Sequence, residues 1–82
     1  MFNEKQLELI KEQNSVQNYL VKHVVLIVFI IKETGAMMSR SAAFNELLEA
    51  HSYADMLYNS YVKLGSPFKI FLDNFVYKEN FS

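Results

Sequence analysis

Eight consecutive apolar residues, Val24-Val25-Leu26-Ile27-Val28-Phe29-Ile30-Ile31, constrain this chain more than any other feature of it. A segment with no polar side must be covered on both sides, by the rest of its own fold, by another chain or by lipid. Lipid fits poorly. Extending the run back to Tyr19 gives thirteen residues that include Lys22 and His23, whereas a spanning helix needs roughly 20 apolar ones. The run therefore reads as a buried element of a protein core.

Composition leaves helix and strand both open for it, because β-branched residues dominate and a short apolar run has no diagnostic period. Two features favour helix. The stripe Val16, Leu20, His23, Ile27, Ile30 and Ile31 has helical spacing, and Gly35 follows where a helix C-terminus expects glycine. A strand would need a pairing partner, and no other stretch resembles one. The expectation is a helix over about 15–34, with an α+β fold carrying residues 23–31 as a strand as the alternative.

The flanking segments also carry helical signals. Asn3, with Gln6 three residues on, is an N-cap pattern for a helix over about 4–14. Between Ser41 and Leu64, the residues Phe44, Leu47, Leu48, His51, Ala54, Tyr58, Tyr61 and Val62 recur at helical intervals against a polar stripe, and Gly65 ends the pattern. Ser66-Pro67 then resembles a helix start, with Phe68, Phe71, Leu72 and Phe75 on one face over about 67–78. The sequence thus predicts one domain, residues 1–82, built as an all-α bundle of three to four helices (about 4–14, 15–34, 41–64 and 67–78).

Length makes that bundle a homo-oligomer in expectation. A chain of 82 residues buries only about 60 to 65 % of its unfolded surface. With no cysteine, neither disulfides nor thiolate metal sites can reinforce its core. A helix over 41–64 would be about 36 Å long, longer than a globule of this size, roughly 30 Å across. An elongated protomer that pairs with a second copy resolves both problems. On a helical wheel, Val25 and Phe29 interrupt the polar back of the 15–34 helix. With their neighbour Leu26 they are the expected protein interface, joined by Tyr53 and Tyr77 as surface anchors.

Chemistry finds little purchase in these residues. His51 and Asp55 are four apart on a helix face, a spacing that suits a simple ion pair better than a metal site lacking a third ligand. His23 reads as a packed histidine, and Ser39, Ser41 and Ser66 read as helix caps without a neighbouring base. Gly35 and Gly65 lie thirty residues apart (65 minus 35) and form no phosphate loop. No catalytic, cofactor-binding or metal residues are expected. Residues 1–40 carry five basic against four acidic groups and residues 41–82 three against five, so no basic face invites nucleic acid. Without cysteine or a secretory leader pattern, the chain is expected to be cytoplasmic.

The expected function is therefore non-enzymatic: a regulatory or inhibitory protein that binds itself as a homodimer and an unidentified protein target. The alternative is a membrane-associated regulator, such as a phage-type cytoplasmic lysis-timing (antiholin-like) accessory protein, with the apolar run lying on a bilayer.

Overall fold

The computed structural model describes residues 2–17 and 23–81, and over them the chain is α+β. In chain order the elements are α1 (Glu4–Gln17), β1 (His23–Ile30), β2 (Met37–Phe44), α2 (Leu47–Leu64), β3 (Phe68–Leu72) and β4 (Phe75–Asn80). The strands form one antiparallel sheet in the order β2-β1-β3-β4. This overturns the all-α bundle: the apolar run is a strand, as the α+β alternative had it, and the helices expected over 15–34 and 67–78 do not form. Leu20, part of the expected helical stripe, lies outside the described residues.

Why the run is apolar without interruption follows from where β1 sits. It pairs with β2 on one side and β3 on the other, and each face of the sheet carries a helix. Side chains alternate across a strand. Val25 and Ile27 therefore point to the α2 layer, where they meet Ala50, Ala54, Leu57, Phe68 and Ile70. Leu26 and Val28 point the opposite way, to Leu7 of α1 and to Phe71. All of these are buried. Alanine at positions 50 and 54 lets α2 lie close to the sheet, and a rim of rings closes the layer, with Tyr61 against Phe29 (5.1 Å between centroids) and Tyr53 against Phe44 (5.2 Å).

The partner that the sequence hid is β2, Met-Met-Ser-Arg-Ser-Ala-Ala-Phe. None of its residues but Phe44 favours a strand, yet it pairs with β1 along its whole length, from His23 opposite Phe44 to Ile30 opposite Met37. Tertiary pairing here outweighs propensity. It also shortens the expected 41–64 helix to Leu47–Leu64. Eighteen residues span about 27 Å, so the helix no longer outruns the globule. The radius of gyration is 12.3 Å, against about 12 Å expected for one chain of this length.

Both glycines sit at positive φ, but only Gly65 ends a helix, as its place in the sequence predicts; Gly35, expected at a helix end, does not. Gly65 (φ 73°) ends α2, its N–H reaching the Val62 carbonyl. Gly35 (φ 74°) instead closes the β1–β2 hairpin loop, donating to the Ile31 carbonyl at 2.7 Å. Helix termini and hairpin loops both need a left-handed residue, so the signal alone does not separate them.

The expected 67–78 helix fails on similar grounds. Phe68, Phe71, Leu72 and Phe75 have helical spacing, but Asp73 (φ 51°) and Asn74 (φ 70°) form a two-residue turn with both φ positive, the type I′ signature of a hairpin. Pro67 leads directly into β3 rather than starting a helix, and its carbonyl accepts the Ile30 N–H at 3.0 Å. At the other end, Asn3 does cap α1, its side chain accepting the Gln6 N–H at 3.1 Å. Phe2 and Phe81 meet edge to face, with the Lys69 ammonium over both rings.

Two substitutions test this account. Ile27→Ala, at a fully buried position, should cost about 3 kcal/mol, much of the about 4 to 12 kcal/mol expected of a chain this size. Gly65→Ala should cost about 1 kcal/mol. That cost comes from φ alone, since a Cβ there would lie 3.6 Å from the nearest atom, Lys32 Nζ. Urea unfolding of both variants measures the two losses, and equal losses would contradict the core position of Ile27.

Candidate functional site

Two polar clusters occupy the positions where the sequence offered chemistry, and both bind the fold together. His51 and Asp55 share a face of α2, but Asp55 turns to β4. Its Oδ1 accepts the Tyr77 hydroxyl at 2.9 Å and the Lys78 ammonium at 3.1 Å. His51 meets the Tyr77 ring instead, tilted by 59° with 5.2 Å between centroids. Two adjacent strand residues reach one carboxylate because of a bulge. The β3–β4 register slips between Ile70 and Phe71, so that Lys78 pairs with Ile70 and Val76 with Phe71, leaving Tyr77 as the extra residue. A bulge puts neighbouring side chains on one face.

The hydrogen bond from Tyr77, followed by that from Lys78, holds the Asp55 carboxyl below the ordinary aspartate value of 3.8. The same bond with Asp55 raises both the Tyr77 phenol and the Lys78 ammonium. All three groups are solvent-accessible.

The second cluster joins His23 to the β3–β4 turn. His23 Nδ1 lies 2.9 Å from Asp73 Oδ2, while Asp73 Oδ1 accepts the Val24 N–H and the Asp73 N–H donates to the Val24 carbonyl, each at 2.9 Å. The carboxylate thereby completes the last rung of the β1–β3 ladder. Among the described residues no group of three or more His, Cys, Asp or Glu converges as a metal site.

The five residues expected at a protein interface are scattered by the fold. Val25 and Leu26 are buried on opposite faces of the central strand, covered by the chain's own helices. Phe29 and Tyr53 are half-buried against Tyr61 and Phe44, and Tyr77 is half-buried beside Asp55. No single patch contains them.

Unsatisfied binding capacity lies instead at the sheet's margins, which differ from each other. β4 is irregular: the bulge at Tyr77 twists it, and Lys78 and Glu79 add charge. Those are the devices by which sheets keep other strands away. β2 has eight residues in continuous register, with Arg40 as its one charge and neither proline nor glycine. The direction of its backbone groups follows from the hydrogen bonds that bracket the sheet. The Ile31 N–H bonds the Ala36 carbonyl, whereas the Ile30 N–H bonds Pro67 and the Asp73 N–H bonds Val24 on the β3 side. In an antiparallel ladder these directions alternate by residue. Met38, Arg40, Ala42 and Phe44 thus turn their N–H and C=O groups to β1. Met37, Ser39, Ser41 and Ala43 turn theirs outward, where no described strand receives them.

Apolar side chains frame this edge. Met38 and Leu47 are 47 % and 45 % exposed, and both lie near the α2 layer, Met38 at the start of β2 and Leu47 just after its end. On the α1 face the edge shows Ser39, Ser41 and Ala43, all exposed, and the half-buried Met37 at its start. Sequence reasoning passed over these residues because outward-pointing backbone has no side-chain signature; the one hint was a nearly uncharged run beside a helix start. No protein-family model matches the chain, and no curated protein and no solved structure matches it either.

Tyr77→Phe gives a direct check on the first cluster. Removing the hydroxyl should move the Asp55 titration up towards the ordinary aspartate value, followed by carboxyl carbon NMR. A group whose pKa is depressed on folding stabilises the fold above its unfolded value and loses that contribution as pH falls through the folded one. The wild type should therefore keep this contribution further below pH 3.8 than the variant does.

Proposed function

We propose that the chain is a non-enzymatic regulatory or inhibitory protein that works by protein–protein interaction, with β2 as the contact edge. One observation carries the reading: a regular eight-residue edge strand whose alternate backbone groups are directed at solvent, beside an opposite edge that is bulged and charged. Strand addition at such an edge draws affinity from main-chain hydrogen bonds and needs no pocket. It suits a small protein whose polar side-chain clusters are already engaged in holding helix, turn and strand together.

Membrane association has less support than the sequence suggested. The apolar run that would have lain on a bilayer is the centre of the sheet, and none of the described helices is long and apolar enough to cross a membrane.

A proline at position 39 tests the proposal selectively. Ser39 directs its N–H away from β1, so Ser39→Pro removes an outward donor while leaving the β1–β2 bonds in place. Ala42→Pro would break the internal ladder instead. With wild type and Ser39→Pro immobilised as equally folded proteins, the chains captured from the native host should fall at least ~10-fold for the variant, the equivalent of about 1.4 kcal/mol. Identical capture by both would remove β2 as the contact edge.

A further inference from the structure

We infer that the β2 edge is self-complementary and that its occupant is β2 of a second copy, paired antiparallel about a two-fold axis at Ser41. This rests on the reading of β2 as a contact edge and adds to it the partner and the register.

The register follows from direction and charge. A two-fold axis in an antiparallel ladder passes through a residue facing itself. An axis at Arg40 would give the longest ladder but would place Arg40 directly against Arg40 of the second copy, about 4.5 Å apart between Cα atoms in a non-hydrogen-bonded pair, and like charges directly opposite destabilise a sheet. Moving the axis one residue to Ser41 puts Arg40 opposite Ala42 of the second copy and leaves the two arginines on a diagonal of about 7 Å.

In that register the outward-facing residues oppose one another: Ser41 meets Ser41, and Ser39 meets Ala43 twice. Three such pairs, at two hydrogen bonds each, give six inter-chain bonds. All six side chains on that face are small. On the α2 face, Met38 lies opposite Phe44 of the second copy, next to Leu47 at the start of its α2. Symmetry repeats the contact, so an apolar cluster closes each end of the ladder.

Both edges could in principle accept a strand, but β4 would bring its bulge and its Lys78–Glu79 pair to any symmetric ladder. Pairing at β2 joins two four-stranded sheets into one of eight, with helices on both faces. The buried surface is that of one strand pair and six flanking apolar side chains, Met38, Phe44 and Leu47 of each copy, the low end of specific interfaces at about 1,200 Å² in total. The dimer is accordingly expected to be weak and reversible.

A cysteine scan reads the register directly, because the chain has no cysteine of its own. Residues exchanging hydrogen bonds across an antiparallel ladder have Cα atoms about 5.5 Å apart, within the disulfide range of about 4.4 to 6.8 Å. Under a mild glutathione redox buffer, Ser41→Cys should convert almost fully to a covalent dimer. Ser39→Cys and Ala43→Cys should each form no covalent dimer alone and cross-link only when mixed. Equal cross-linking of all three variants would mean random collision and would overturn the register.

Unmodified protein supplies the independent measurement. Sedimentation over about 1 to 200 µM should show monomer giving way to dimer as the concentration rises. Hydrogen exchange at the Ser39, Ser41 and Ala43 amides should slow at least ~10-fold over the same range while Met37, Arg40 and Ala42 stay unchanged. A monomer throughout, with those amides exchanging freely, overturns self-pairing. In that case a loss of foreign partners in Ser39→Pro would show the edge to serve another chain, whereas identical capture by wild type and variant would remove the contact edge itself.

Discussion

Burial of β1 on both faces is the condition on which the rest of the molecule depends. Val25 and Ile27 need α2, Leu26 and Val28 need α1 and Phe71, and β1 as a central strand needs neighbours on both sides. One eight-residue segment therefore organises three layers. The rest of the chain follows from supplying cover: alanines where α2 must come close, aromatic rings where its rim must reach the sheet, and Leu7 on the one inward face of α1. Cover of this kind is how a chain this short can still bury its most apolar stretch, with one small cluster on each face of the sheet.

Polar interactions then decide how the covering elements are held. Asp55 ties α2 to β4 through Tyr77 and Lys78, and Asp73 ties the β3–β4 turn to the start of β1 through His23 and Val24. In each case a carboxylate accepts from two groups on an element distant in sequence. Each also depends on an irregularity of the backbone, the bulge at Tyr77 and the positive φ of Asp73. The same bulge that delivers Tyr77 and Lys78 to Asp55 makes β4 a poor template for another strand. Securing one edge of the sheet thus leaves β2, which has no such anchor, as the regular one.

How far the residues alone reveal this fold can be judged element by element. The N-cap at Asn3, the end of α2 at Gly65 and the need to cover residues 24–31 on both sides are legible, because each is a local consequence of side-chain chemistry or of glycine's freedom at positive φ. The hairpin at Asp73-Asn74 was also within reach as a turn dipeptide between two apolar segments. The helical spacing of Phe68, Phe71, Leu72 and Phe75 competed with that signal, and spacing over so few residues does not discriminate.

What sequence determined, then, is that this chain has one intensely apolar segment requiring cover on two sides, flanked by a capped helix and by an amphipathic helix that stops at a glycine. Tertiary structure decided that the cover is a sheet with a helix on each face, because the strand state of β1 is stabilised by pairing with β3 and with β2, whose residues show no strand pattern when read alone. It also decided where the chain can still bind. The outward N–H and C=O groups of Met37, Ser39, Ser41 and Ala43 are the same in every residue type that carries them, and only the pairing register determines which way they point.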